Sequence, residues 1–276
     1  MRCKTIFVVS LFFLSLQNLM AAYQSPVWEL GVAGGYLHTP EYRGAAKNHH
    51  YFIPFPYAAY RGHRLRIDED GIRSLIANGR RWKLDMRFGG NVPVKSKETS
   101  KRANMRKLDP VIELGPSLEY FLWQDSKHKG DDIWLRMPIR LMNSVGKNGV
   151  AYQGFSFAPY LEYVQRWRKT NTTWNLGIAI GPLFNSSDYN NYFYQVSSSD
   201  STISRPSYDA TMGYSGSRIT LTLIGNSRHL WYGVFARYDN MQGAAFIDSP
   251  LIETDHYTAL GVSIGWKFLR SDEHSK

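Results

Sequence analysis

The chain has 276 residues, with 33 Lys and Arg against 23 Asp and Glu; the formal charge of +10 permits attraction to anionic polymers or lipid headgroups but does not bear on fold. Mean hydropathy is −0.37 and no stretch beyond the N-terminal region approaches 18 uncharged apolar residues, which excludes a bundle of transmembrane helices. The single cysteine, Cys3, excludes a disulfide framework for the rest of the chain.

In chain order, Arg2 and Lys4 precede the apolar run Ile6 to Leu16, and Met20-Ala21-Ala22 offers small residues for cleavage. Residues 1–22 therefore read as a signal peptide, with the exported chain beginning near Tyr23. The apolar run is too short for the roughly 20 residues that a spanning helix needs. Cys3 falls inside the segment to be removed, so thiolate chemistry is not expected of the exported protein.

From Trp28 onward the sequence alternates. Trp28, Leu30, Val32, Gly34 and Tyr36 share one parity, and in "RRWKLDMRF" Trp82, Leu84, Met86 and Phe88 interleave with Arg81, Lys83, Asp85 and Arg87. Ile133, Leu135, Met137, Ile139 and Leu141 alternate with positions that include Arg136 and Arg140. Leu260, Val262, Ile264, Trp266 and Phe268 share one face of "YTALGVSIGWKF". Successive side chains of a strand point to opposite faces, so period two means strands, and helical spacing is absent. Twelve strands are predicted, at 28–37, 51–60, 63–69, 71–77, 80–90, 110–122, 132–142, 152–166, 172–184, 215–225, 229–238 and 257–268.

The links between them sort by length. Long ones ("HTPEYRGAAKNHH", "NVPVKSKETSKRANMRKLD", "NSVGKNGVA", Asn185 to Tyr214, and Asp239 to His256) follow odd strands, apart from the one-residue link at Asp70, and mostly brief ones ("RG", "NG", "WRKTN", "NSR") follow even strands, with Trp123 to Asp131 of middling length. A soluble β-sandwich also alternates, but it has no reason to sort its loops. One rim of loops and one of turns fits an all-β, antiparallel transmembrane β-barrel of about 12 strands, with short periplasmic turns and long extracellular loops, in the outer membrane of a Gram-negative bacterium. Residues 23–268 would form the barrel and 269–276 a short polar tail. Aromatic residues near strand ends, among them Trp28, Tyr60, Trp82, Tyr120, Trp123 and Trp266, fit interfacial girdles. The apolar faces would then meet lipid. Arg81, Lys83, Asp85, Arg87, Arg136, Arg140, Arg218 and Arg237 would line the lumen.

Several blocks carry a family resemblance. "GAAFIDSPLIETDHYTALGVSIGWKF" resembles the closing signature of the MipA/OmpV family of outer-membrane proteins. "WELGVAGGYLHTPEYRGA" resembles its opening strand and Tyr-x-Gly loop, and "YFIPFPYAAYRGHRLRIDEDGIR" its Pro-x-Pro strand. The residues concerned are Tyr42, Gly44, Pro54, Pro56, Gly243, Ala244, Asp248, Ser249 and Pro250. The resemblance implies an outer-membrane barrel with a non-enzymatic scaffold role, linking a periplasmic lytic transglycosylase to a peptidoglycan synthase in the cell envelope. A porin-like channel for small polar solutes and a surface adhesin acting through the long loops are the alternatives.

Other candidate sites are weaker. Pro54 and Pro56 cannot donate ladder hydrogen bonds, so their strand is either locally unzipped for docking or merely bulged. His38, Glu41, His49 and His50 match no ordinary metal-ligand spacing and read as solvated loop residues. Lys95, Lys97, Lys101, Arg102, Arg106 and Lys107 form a basic loop suited to lipopolysaccharide phosphates or to plain solvation. No Gly-x-Ser-x-Gly elbow occurs, and neither a catalytic site nor a cofactor is predicted.

Overall fold

The computed structural model describes residues 25–68, 71–91, 101–106, 108–124, 130–147 and 149–273. The proposed signal segment, Lys95, Lys97 and Lys107 lie outside them. The strands are β1 (Trp28–Pro40), β2 (Asn48–Arg61), β3 (Leu65–Asp68), β4 (Gly71–Asn78), β5 (Trp82–Asn91), β6 (Val111–Gln124), β7 (Asp131–Gly146), β8 (Gly149–Phe157), β9 (Tyr160–Lys169), β10 (Thr172–Asn185), β11 (Gly213–Asn226), β12 (Leu230–Asn240) and β13 (His256–Arg270). Among the described residues one helix, α1 (Ser187–Tyr194), lies between β10 and β11, where the sequence showed no helical spacing.

Every pairing is antiparallel, and β13 pairs with β1 to close the sheet. The thirteen segments occupy twelve positions, because β8 and β9 are two halves of one strand. The upper part of β7 pairs with β8 (Ile139↔Phe157) and the lower part with β9 (Arg136↔Tyr160). The break falls at Ala158 and Pro159, where Ala158 N donates to Pro138 O at 3.3 Å and neither proline has an N–H to give. The fold is thus a closed twelve-stranded barrel.

The faces are inverted relative to a soluble protein. On β5, Asp85 and Arg87 are buried while Trp82 and Phe88 are exposed; on β13, Lys267 is buried while Leu260, Val262, Ile264, Trp266 and Phe268 are exposed. Only a lipid-facing exterior makes that arrangement favourable, and closure satisfies the backbone groups that lipid cannot. Trp28, Tyr60, Trp82, Tyr120, Trp123 and Trp266 are exposed near the turn-side strand ends, and Tyr152, Phe184 and Tyr238 near the loop side.

Three features depart from the sequence reading. Residues 147 and 148 alone separate β7 from β8, because the ladder runs on to Gly146↔Gly149 and Gly149 adopts a φ of 99° that suits glycine. The final strand passes Phe268 to Arg270, paired with Glu29, so the predicted tail begins inside the barrel. The third is in the wall, and it departs from the bulged reading of the Pro54 and Pro56 strand while agreeing with the unzipped one. β2 pairs with β1 along its whole length, but on its other side it meets β3 only at Tyr60↔Ile67 and Arg61↔Arg66. The edge of β2 above Tyr60, including Pro54 and Pro56, has no strand neighbour there among the described residues.

Candidate functional site

Strand parity sends charged side chains inward, and register then decides which of them meet. Among the described residues three ionic groups hold most of them, besides the separate pairs Arg166–Asp132 and Arg73–Asp68. Near the turn side, Glu29 of β1 accepts from Lys267 Nζ at 2.9 Å and from Arg61 at 2.7 Å. Lys267 also donates to Asn226 at 2.5 Å. Along the wall formed by β5, β6 and β7, Glu119 of β6 lies opposite Arg136 in register, pairs with it at 3.5 Å, and also pairs with Arg87. Arg136 continues to Glu162 of β9 at 2.8 Å. Near the loop side, Asp239 is wholly buried and receives Arg218 at 2.8 Å, Arg237 at 2.7 Å and Arg43 at 2.7 Å.

The eight residues singled out for the lumen therefore fare differently. Arg87, Arg136, Arg218 and Arg237 are held in ion pairs, and Asp85 is buried close to Arg87 and Glu119. Arg140 donates to the carbonyls of Gly115, Pro116 and Ile139, where Pro116 interrupts the ladder. Arg81 and Lys83 are exposed and line a cavity of about 240 Å³ with Trp134 and Asp132, Lys83 lying 4.9 Å from the Trp134 ring centre. The carboxylates that organise the groups, Glu29, Glu119, Glu162 and Asp239, were not singled out from sequence. Each sits at inward parity, which is the signal that would have found them.

Above Asp239 the loops form a packed cap. Tyr42, Ala45, Tyr194, Ala210, Met241, Ala244 and Phe246 make one buried cluster, so the main apolar core lies at the barrel mouth. Phe246 is fully buried and stacks on Tyr194 with ring centres 3.8 Å apart. The Tyr42 hydroxyl donates to Leu251 O at 2.7 Å, the Tyr194 hydroxyl to Arg43 O at 3.0 Å, and Ser249 Oγ to Tyr194 O at 2.8 Å. Gly44 O accepts from the backbone N–H groups of Glu253 and Thr254 at 2.7 and 3.2 Å. Gly44 has a φ of 99°, and a Cβ there would come within 2.4 Å of Ile252 Cδ1. Ser186 caps α1 by accepting from Tyr189 N, and the buried Asn190 ties the helix to Thr211 O at 2.8 Å. Burial pushes the Tyr42 and Tyr189 hydroxyls well above their ordinary range and Tyr194 up to about 12.

The family-like residues thus converge: Tyr42, Gly44, Ala244 and Ser249 are cap contacts, Gly243 takes a φ of 72° at a turn, and Pro250 lies between Ser249 and the acceptor Leu251. Asp248 is exposed, as are Pro54 and Pro56 on the outer face of β2. In the basic loop, Arg102 is buried and donates to Phe193 O at 2.7 Å, so it clasps the cap and does not present its charge outward. Arg106 is exposed and pairs with Asp109 at 3.1 Å, while Lys101 is half-buried. The four residues of the histidine group separate by parity: His49 bonds Glu41 at 2.6 Å, while His38 and His50 meet across β1 and β2 at 3.3 Å. No cluster of three or more His, Cys, Asp or Glu suited to a metal occurs among the described residues.

A family model described as "MltA-interacting protein MipA" matches residues 30–268. Comparison with curated proteins gives no match. Among solved structures, a "Bacterial polysaccharide outer membrane secretin" aligns over 88% of this chain and 99% of its own at 9% identity and a TM-score of 0.43. The "Pseudomonas putida toluene transporter TodX" aligns over 87% of this chain and 88% of its own at 8% identity and a TM-score of 0.26. Neither likeness carries a functional argument.

Proposed function

Because the chain belongs to the family described as MltA-interacting protein MipA, we propose that this outer-membrane barrel is a closed, non-enzymatic platform for a periplasmic lytic transglycosylase, acting in peptidoglycan turnover and recruiting a synthase to the same place. The observation that supports a platform over a pore is the state of the lumen. Most of the charged side chains that would face a conducted solute are held in ion pairs, in the Glu29, Glu119 and Asp239 groups, and the mouth above them is filled by the packed cap. A conducting barrel of this strand number needs an open, hydrated path past its side chains. The partner would meet the turn-side rim, which faces the periplasm in this class of barrel.

The test has two readouts. In planar bilayers the folded barrel is expected to carry no steady single-channel current, and immobilised barrel is expected to retain a lytic transglycosylase from periplasmic extract. Steady current whose ion preference shifts in Arg81→Glu or Arg87→Glu would make it a pore. A silent barrel that retains no transglycosylase would remove the platform reading as well.

A further inference from the structure

The loop-side ionic group is unbalanced. Arg43, Arg218 and Arg237 converge on the single carboxylate of Asp239, leaving two positive charges in excess. Asp239 is the carboxylate that the three arginines share, while Glu41 is engaged by His49, and Glu119 and Glu162 by Arg136. Glu113 is within Coulomb reach of Tyr189, but it forms no ion pair with the three arginines.

Donors remain as well as charge. Arg218 and Arg237 each address Asp239 through Nε and Nη2, so their Nη1 groups stay available, and the two side chains are 30% and 25% exposed to the lumen. Tyr189 of α1 lies within Coulomb reach of Glu113, Arg43, Arg218 and Arg237. Its hydroxyl has no hydrogen-bond partner among the described residues.

Excess cationic charge in a poorly hydrated interior is costly unless a counter-ion or water answers it. Guanidinium forks match tetrahedral and planar oxyanions in geometry as well as charge. We infer that Arg218, Arg237 and the Tyr189 hydroxyl form a binding site, beneath the cap, for a small soluble oxyanion of the phosphate or sulfate class. The barrel wall and the cap separate this position from lipid headgroups, so the anion comes from solution. The inference does not depend on the platform reading.

The test is calorimetric titration of the detergent-folded barrel with inorganic phosphate, alongside its thermal midpoint in phosphate and in chloride at matched ionic strength. Saturable phosphate binding and a higher midpoint in phosphate are expected. The Arg218→Gln/Arg237→Gln double variant should lose both. Tyr189→Phe should bind phosphate about tenfold more weakly, the worth of one hydrogen bond to a charged group, while its midpoint in chloride stays at the wild-type value. Asp239→Asn, which raises the excess charge, should enlarge the phosphate shift. Equal midpoints in the two salts for the wild type would overturn the site, as would unchanged phosphate affinity in Tyr189→Phe. If the double variant fails to give the heat-modifiable folded band, Tyr189→Phe decides alone.

Discussion

Phe246→Ala is the most direct probe of the cap. Phe246 has no exposed surface, stacks on Tyr194 at 3.8 Å and lies 5.8 Å from the Arg43 guanidinium. A buried Phe removes about 200 Å² from water, worth roughly 5 kcal/mol at about 25 cal/mol per Å². Large-to-small truncations of this kind measure at about 3–5 kcal/mol. An expected loss of about 4 kcal/mol raises the open fraction of the cap by roughly three decades. The loss should stay local, because no strand pairing passes through Phe246: the ladder leaves β12 at Asn240 and resumes on β13 at His256. Limited proteolysis should therefore cut the variant within residues 186–212 and 241–255 far faster than the wild type, while heat-modifiable migration of the barrel persists. Wild-type resistance in the variant would refute the argument that this cluster holds the mouth shut.

Two further outcomes follow from the same contacts. Tyr42, Tyr189 and Tyr194 are raised by burial, so each favours the closed cap fully below the ordinary phenol value near 10, and that contribution is lost as pH climbs from there through about 12, where Tyr194 titrates. The opened cap releases these protons first, at a cost of about 1.4 kcal/mol per pH unit per group; protease resistance should be flat from pH 7 to 9 and collapse above 10, and a profile flat to 12 would contradict it. Glu119→Gln removes the carboxylate shared by Arg87 and Arg136, whose side chains are 10% and 8% exposed. Stranding buried charge in this way costs about 3 kcal/mol, read as a lower denaturant midpoint, and an unchanged midpoint would mean that the pairing contributes nothing.

The strands were legible because parity is a local property. Trp82 to Phe88 announce their faces without reference to any other part of the chain, and all twelve predicted strands correspond to observed positions. The lumen pairs were not legible, since Glu119 meets Arg136 through register, and register depends on hairpins closing correctly. The cap was less legible still. Tyr42, Tyr194 and Phe246 are far apart in sequence and meet only when β13 closes on β1, so before closure their loops read as three unrelated segments. Family resemblance marked Tyr42, Gly44 and Ser249 without explaining them; the hydrogen bonds across the mouth do. The break between β8 and β9 falls at Ala158 and Pro159, and Pro159 was the residue from which it could have been read. The shortness of β3 could not, because "HRLRIDEDGIR" alternates well enough to suggest a strand over 63–69, of which Leu65–Asp68 forms.

The attachment of β2 to β3 has a dynamic consequence. Two residue pairs stitch that flank, whereas β1 holds β2 through thirteen. Opening free energies are lowest where backbone bonds and packed contacts are fewest, so the seam above Tyr60 is where this cylinder breathes first. Exchange of amide hydrogens should begin there and spread toward β4, leaving the block of β13, β1 and β2 as the last to yield. Pro54 and Pro56 remove donors from the exposed edge that such breathing bares, which denies a neighbouring chain the ladder it would need to join. The barrel can keep a yielding flank without becoming a template for its own aggregation.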